Sequence, residues 1–268
     1  MTNHHHNRLN HSVTTRIKAL ITLTSLSLLA FGGCALKKSA DKSPKEKSEM
    51  YSNIGTEALL RGDHAQAVED LRKAVQLDDR NAIAHNHLGL AYFAYGKRED
   101  AKRELERAIA LDPTYSDAYI NLANLVVENN EFTLGRELYN KALSNLDYQN
   151  RHRALTNLAQ LELKQGHHDR ARMFLYQSLQ ANEEYCLTHF LLGTVYMRDN
   201  EPARAADSFR KSVKSTCTTN VDGHMQLGIA YMKAKQYDKA KNAFSLLIDQ
   251  FPETAQAKEA KEQLRVIP

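Results

Sequence analysis

A small residue returns along this chain at a nearly constant interval, and nothing else in the sequence restricts the fold as much. Gly55, Gly89, Ala123, Ala159, Gly193 and Gly228 lie 34, 34, 36, 34 and 35 residues apart. Each is followed by an aromatic or bulky residue about three positions on, a break near seven, a small residue at twelve and a bulky one near sixteen. "HLGLAYFAYGKREDAKRELERAIALDP" from residue 87 is a clear copy. A unit this short cannot bury its apolar side alone, whereas stacked copies can, so the repetition predicts a solenoid. The apolar spacing within each copy is that of helices. Ala67, Ala101, Ala171, Ala205 and Ala240 let a second helix approach the first closely. Leu105, Tyr139, Leu175, Phe209 and Phe244 fill the space toward the next copy. Gly62, Gly96 and Gly166 stand where the first helix must stop and a left-handed residue can end it. The third copy departs most, with Gly135 in the alanine's place and Asn130 in the turn glycine's.

This period and pattern resemble the tetratricopeptide repeat, a helix–turn–helix of 34 residues. The resemblance implies an all-α, right-handed α-solenoid of about six repeats, at 48–81, 82–115, 116–149, 152–185, 186–219 and 221–254. Residues 254–265, "TAQAKEAKEQLR", read as a polar capping helix that covers the last stacking face. The two-residue insertion near Leu146–His152 is expected to bend the array between repeats three and four.

Ahead of the repeats the chain changes character. Arg8, Arg16 and Lys18 precede an apolar run, Ala19–Phe31, that ends in Gly32-Gly33-Cys34. Positive charge, a short apolar stretch and small residues make a secretory signal over 1–33. An uncleaved anchor is the alternative, but a bilayer span needs about 20 apolar residues. "LAFGGC" resembles the lipobox of bacterial lipoproteins, with Phe31 a less usual residue in that motif. This resemblance implies a diacylglyceryl thioether on Cys34 and cleavage after Gly33. Ala35, rather than aspartate, follows the cysteine and implies an outer-membrane destination. Residues 34–47 then form a lysine- and serine-rich leash with too little apolar surface to fold.

Charge and motif content narrow the function. Without residues 1–33 the chain holds 33 basic and 32 acidic residues, so no basic stripe marks a nucleic-acid binder. No HExxH, nucleophile elbow or phosphate-binding glycine loop occurs, and no metal or cofactor is expected. His85 and His87 sit two apart on a helix and point to different sides. An enzyme with scattered site residues on the repeats is a third-ranked reading. Cys186 and Cys217 fall at one side of the fifth hairpin. After export they meet an oxidising compartment, which favours a disulfide over two unlinked thiols.

In tetratricopeptide arrays the first helices line the concave side. Carried onto this chain, the register gives Ile83, Leu90, Phe93, Ile120 and Val127 as one apolar patch. Leu187, Phe190, Met197, Met225, Ile229 and Met232 give a second, with polar Arg153, Thr156, Gln160 and Lys164 between them. These residues suit an apolar or amphipathic protein segment, and methionines adapt to varied shapes. Packing between helices is the competing role for half of them. Lipobox, lysine leash, six repeats, cap and late cysteine pair together resemble the type IV pilus pilotins (the PilF/PilW/Tgl group). That resemblance implies an outer-membrane lipoprotein scaffold, with no catalysis, that promotes assembly of the pilus secretin. The alternative is a general envelope adaptor for peptidoglycan hydrolases or proteases.

Overall fold

A computed structural model describes residues 42–268 of the 268-residue chain. Thirteen α-helices and no strand occur among the described residues. They pair as hairpins: α1 (Pro44–Leu60) with α2 (His64–Leu77), α3 (Ala82–Ala94) with α4 (Arg98–Leu111), and α5 (Ser116–Glu128) with α6 (Phe132–Ser144). Then follow α7 (Arg151–Lys164) with α8 (His168–Ala181), α9 (Cys186–Arg198) with α10 (Pro202–Lys211), and α11 (Val221–Lys233) with α12 (Tyr237–Gln250). The last helix, α13 (Ala255–Val266), lies against α11 and α12.

The six turns inside the hairpins share one device. Each contains a residue in the left-handed region: Gly62 (φ 79°), Gly96 (84°), Asn130 (64°), Gly166 (76°), Asn200 (58°) and Lys235 (58°). Glycine occupies this conformation without a Cβ clash, asparagine tolerates it, and a lysine there carries a cost of about 1 kcal/mol. Two of the helix starts between hairpins, and the start of α13, are fixed by side chains. Asn81 accepts from Ala84 N (3.0 Å) and Asn220 from Gly223 N (2.9 Å), while Thr254 caps α13 through Ala257 N (3.2 Å).

Stacking shows most plainly one residue before each anchor. Leu88, Leu122, Leu158, Leu192 and Leu227 are buried; Ile54, in the first repeat, has no preceding hairpin among the described residues and is 40% exposed. The predicted small residues are buried, as are the bulky ones. Their fit is close: a Cβ on Gly89 would lie 2.7 Å from Leu105 Cγ, and one on Gly193 2.6 Å from Phe209 Cε1. Gly135 departs from alanine for a reason visible only in three dimensions. Val127 Cγ2 occupies the place its methyl would take.

Three local features differ from expectation or add to it. Helix α1 starts at Pro44, ahead of the expected repeat start at 48, because proline suits a first helical turn and Glu46 complements the helix dipole there. The insertion between repeats three and four forms a six-residue connection, 145–150, where three of the other hairpin pairs are joined by four residues. Arg151 Nη1 donates to Leu143 O (2.8 Å) across it. Helix α10 is short, and a 3-10 turn, Ser215–Cys217, follows it. A disulfide joins that turn to the start of α9 through Cys186 and Cys217, with Cα atoms 5.7 Å apart. Toward the carboxy-terminus, Ala260 and Ile267 pack with Phe244 and Leu247, and the outer side of α13 is charged.

Candidate functional site

The first helices α1, α3, α5, α7 and α9 are linked across repeats by their own side chains. Thr56 Oγ1 and His87 Nδ1 are 2.8 Å apart, and Asn121 Nδ2 donates to Asn86 Oδ1 (2.8 Å). Asn157 Nδ2 donates to Asn124 Oδ1 (2.9 Å), and Thr156 Oγ1 lies 2.7 Å from Thr188 Oγ1. One face of these helices is therefore a continuous surface carrying the register positions expected to meet a partner.

The structure divides those positions unequally. Ile83 is 55% exposed, and Leu90 and Phe93 are half-buried, so the first apolar patch exists on α3. Arg98 stacks over the Phe93 ring at 5.4 Å. Ile120 (0% exposed) and Val127 (8%) do not belong to the surface. Both pack with Tyr139, Ala142, Leu158 and Leu161, and Val127 fills the space left by Gly135. Met225 (3% exposed) is likewise core, seated among Phe244 and Leu247. Thr156 is buried with Ser178 and Thr188 in a cluster of three hydroxyls. Leu187, Phe190, Met197, Ile229 and Met232 remain half-buried on α9 and α11 and form the second patch.

Between the patches lies a polar network that the sequence pattern suggested only in part. Asp117 accepts from Arg153 Nη1 (2.8 Å) and from the Tyr148 hydroxyl (2.7 Å). Asn124 Oδ1 accepts from the Tyr139 hydroxyl (2.6 Å) as well as from Asn157. Tyr115 accepts from Asn86 Nδ2 (3.2 Å). Burial, with the charge of Asp117 adding to it, pushes the Tyr115 phenol up to about 12. Burial also raises Tyr148 and Tyr139. Burial lowers His87 against the opposing pull of Asp117, so the imidazole is neutral at pH 7. These phenols and the imidazole are held as neutral hydrogen-bonding groups.

His85 and His87 do point apart. His85 Nδ1 lies 2.6 Å from Glu104 Oε2, while His87 faces Thr56. A further residue escaped the sequence reading altogether. Glu162 stands where three of the six repeats carry an aromatic, is 1% exposed, and is bracketed by Arg136, His167 and Arg170. Its signal was the break in the pattern itself. The predicted lipidation residue Cys34, the signal at 1–33 and most of the leash lie outside the described residues.

Tetratricopeptide-repeat profiles match residues 57–96, 82–115, 152–185 and 222–254. The chain carries tetratricopeptide repeats, a scaffold that generally binds other proteins rather than catalysing reactions. It is similar to the type IV pilus assembly protein PilF of Pseudomonas aeruginosa, 32% identical over 138 residues, which are 51% of this chain and 54% of that protein. A second curated relative, the STIP1 homolog of Dictyostelium discoideum, is 29% identical over 87 residues, 32% of this chain and 15% of its own. The matches thus span about half or less of these relatives' lengths. Among solved structures, Pseudomonas aeruginosa PilF superposes with a TM-score of 0.69 at 20% identity, covering 83% of this chain and 100% of that one. PilW, a widely conserved type IV pilus biogenesis factor, gives 0.69 at 19% identity over 79% and 97%. At these identities the structural likeness establishes the fold.

Proposed function

We propose that this chain is a lipid-anchored envelope scaffold for type IV pilus assembly, which holds secretin subunits and promotes their assembly at the outer membrane. The observation that carries the reading is the similarity to PilF over half the chain, on an array whose first helices present two apolar patches around a polar network. Residues 1–33 act as the export signal, Cys34 takes the lipid, and the leash that follows lets the repeats reach their partner. Several acyl chains at about 0.8 kcal/mol per buried methylene make such a tether nearly permanent. The open groove then masks an apolar secretin segment until subunits oligomerise. No side chain in this mechanism does chemistry. Recognition rests on Ile83, Leu90 and Phe93 at one end, and on Phe190, Met197, Ile229 and Met232 at the other.

The test uses Ile83→Asp with Phe93→Asp, two positions whose side chains reach solvent. A pull-down from detergent-solubilised envelopes should lose the secretin while the variant keeps its helical circular dichroism. Normal secretin multimers in cells carrying the variant would overturn the mechanism. Cys34→Ala should abolish labelling by radioactive palmitate and release the chain from the outer-membrane fraction. Labelling that persists refutes the assigned anchor.

A further inference from the structure

The second apolar patch has a charged border that the first lacks. Five positions beyond the anchor, at the end of each first helix, the six repeats carry Leu60, Ala94, Glu128, Lys164, Arg198 and Lys233. The last three are cations at one register position, and each borders an apolar neighbour: Leu163, Met197 and Met232. All three apolar neighbours are half-buried, and all three cations are exposed. Lys164 and Lys233 have no carboxylate partner among the described residues. Arg198 is held by Asp199 (2.7 Å), which also takes Arg172 (2.8 Å). Carboxylates on the same face are already engaged: Asp117 with Arg153, Glu128 with Arg98, and Asp222 with the Gln256 amide. A cation in a last turn also complements the helix dipole. Helices α3, α4, α5, α8 and α12 nevertheless end without one, so the fold does not require it.

We infer that repeats four to six bind an acidic amphipathic helix of the partner protein, its apolar stripe on Leu187, Phe190, Met197, Ile229 and Met232 and its carboxylates along Lys164, Arg198 and Lys233. The inference rests on the groove being a protein-binding surface and adds the chemistry of what enters it. The spacing fits. Neighbouring helix axes lie about 8–10 Å apart, and seven residues of a bound helix rise about 10.5 Å. Acidic residues every seventh position on such a helix therefore meet successive cations. Its apolar residues, three or four apart, face the floor between them. Charge at the edge decides which segment docks, and the apolar floor supplies most of the affinity.

The experiment uses the full-length chain in detergent micelles and two synthetic amphipathic peptides of about 20 residues. Both carry the same apolar stripe, with glutamate at every seventh position in one and lysine in the other. Fluorescence anisotropy should show the glutamate peptide binding about tenfold more tightly at low salt, a gap that narrows as salt screens it. Lys164→Glu with Lys233→Glu, both at exposed sites, should reverse the preference. Equal affinities, binding of neither peptide, or a preference untouched by the reversal would each overturn the inference. The pilus reading fails separately: a chain that selects the acidic peptide but captures no secretin refutes that reading alone. One that captures secretin without peptide preference refutes this inference alone.

Discussion

Glu162 tests how far one buried charge holds the middle of the array together. Its carboxylate meets Arg136 of α6 (Nε 2.8 Å, Nη2 2.7 Å), His167 Nδ1 of the following turn (2.8 Å) and Arg170 Nε of α8 (3.3 Å). It therefore joins repeat three to repeat four, at the end of α7 away from the six-residue connection. Burial alone would raise its pKa; hydrogen bonds from Arg136 and His167 and the charges of Arg136 and Arg170 outweigh that and hold it below the ordinary 4.5. Breaking a buried ion pair costs about 3–5 kcal/mol when the orphaned charge stays buried. Here the three cations are partly exposed and regain water, so Glu162→Gln is expected to cost about 2 kcal/mol. In an array of this size that lowers Tm by about 4–8 °C. The sign with pH follows from the depressed pKa. The contribution is complete above the unfolded carboxylate's value and fades as pH falls through the lower folded value. Urea unfolding followed by circular dichroism at pH 7 and again below pH ~4.5 should show the gap between wild type and variant shrinking in acid. A loss under about 0.5 kcal/mol at pH 7, or a gap indifferent to acid, refutes the argument.

Three further outcomes follow from the packing. Gly135→Ala alone forces Val127 aside and should destabilise, whereas in a Val127→Ala background the same change should stabilise by up to about 1 kcal/mol through helix propensity; additive effects in the double-mutant cycle contradict the proposed exchange of volume. Gly96→Ala meets no atom within 4 Å and should cost only the backbone strain at φ 84°, about 1 kcal/mol by thermal unfolding, while Gly89→Ala should cost more because its methyl lands on Leu105. Reducing Cys186–Cys217 reopens a 31-residue separation and should lower stability by about 3–4 kcal/mol in the chain-entropy model, with faster amide exchange confined to repeats five and six if the effect is local.

How much of this was legible in sequence depends on how many residues each position answers to. The anchors, the second-helix alanines and the turn glycines answer to one neighbour or to their own backbone, so their identity reveals the repeat directly. Asn130 shows that even the exceptions obey the rule, since asparagine is the next residue to accept a left-handed turn. The groove answers to pairs. Phe93 remains half-buried and reachable, whereas Val127 at the same register position is lost to the core because Gly135, eight residues on and on the next helix, makes room for it. Ile120 and Met225 hold one register position, three before the anchor, where Asn86 bonds Asn121 and Phe190 packs beside Phe209. One register position thus supplies a polar link, a buried filler or a half-open ring, according to the bulk opposite it. The proposed partner surface is whatever that pairing leaves uncovered. It is narrower than register alone predicts, and it is concentrated where two apolar ends flank a hydrogen-bonded centre. A segment that docks there must be apolar at its contacts and polar where it crosses α5 and α7, which excludes a uniformly greasy ligand.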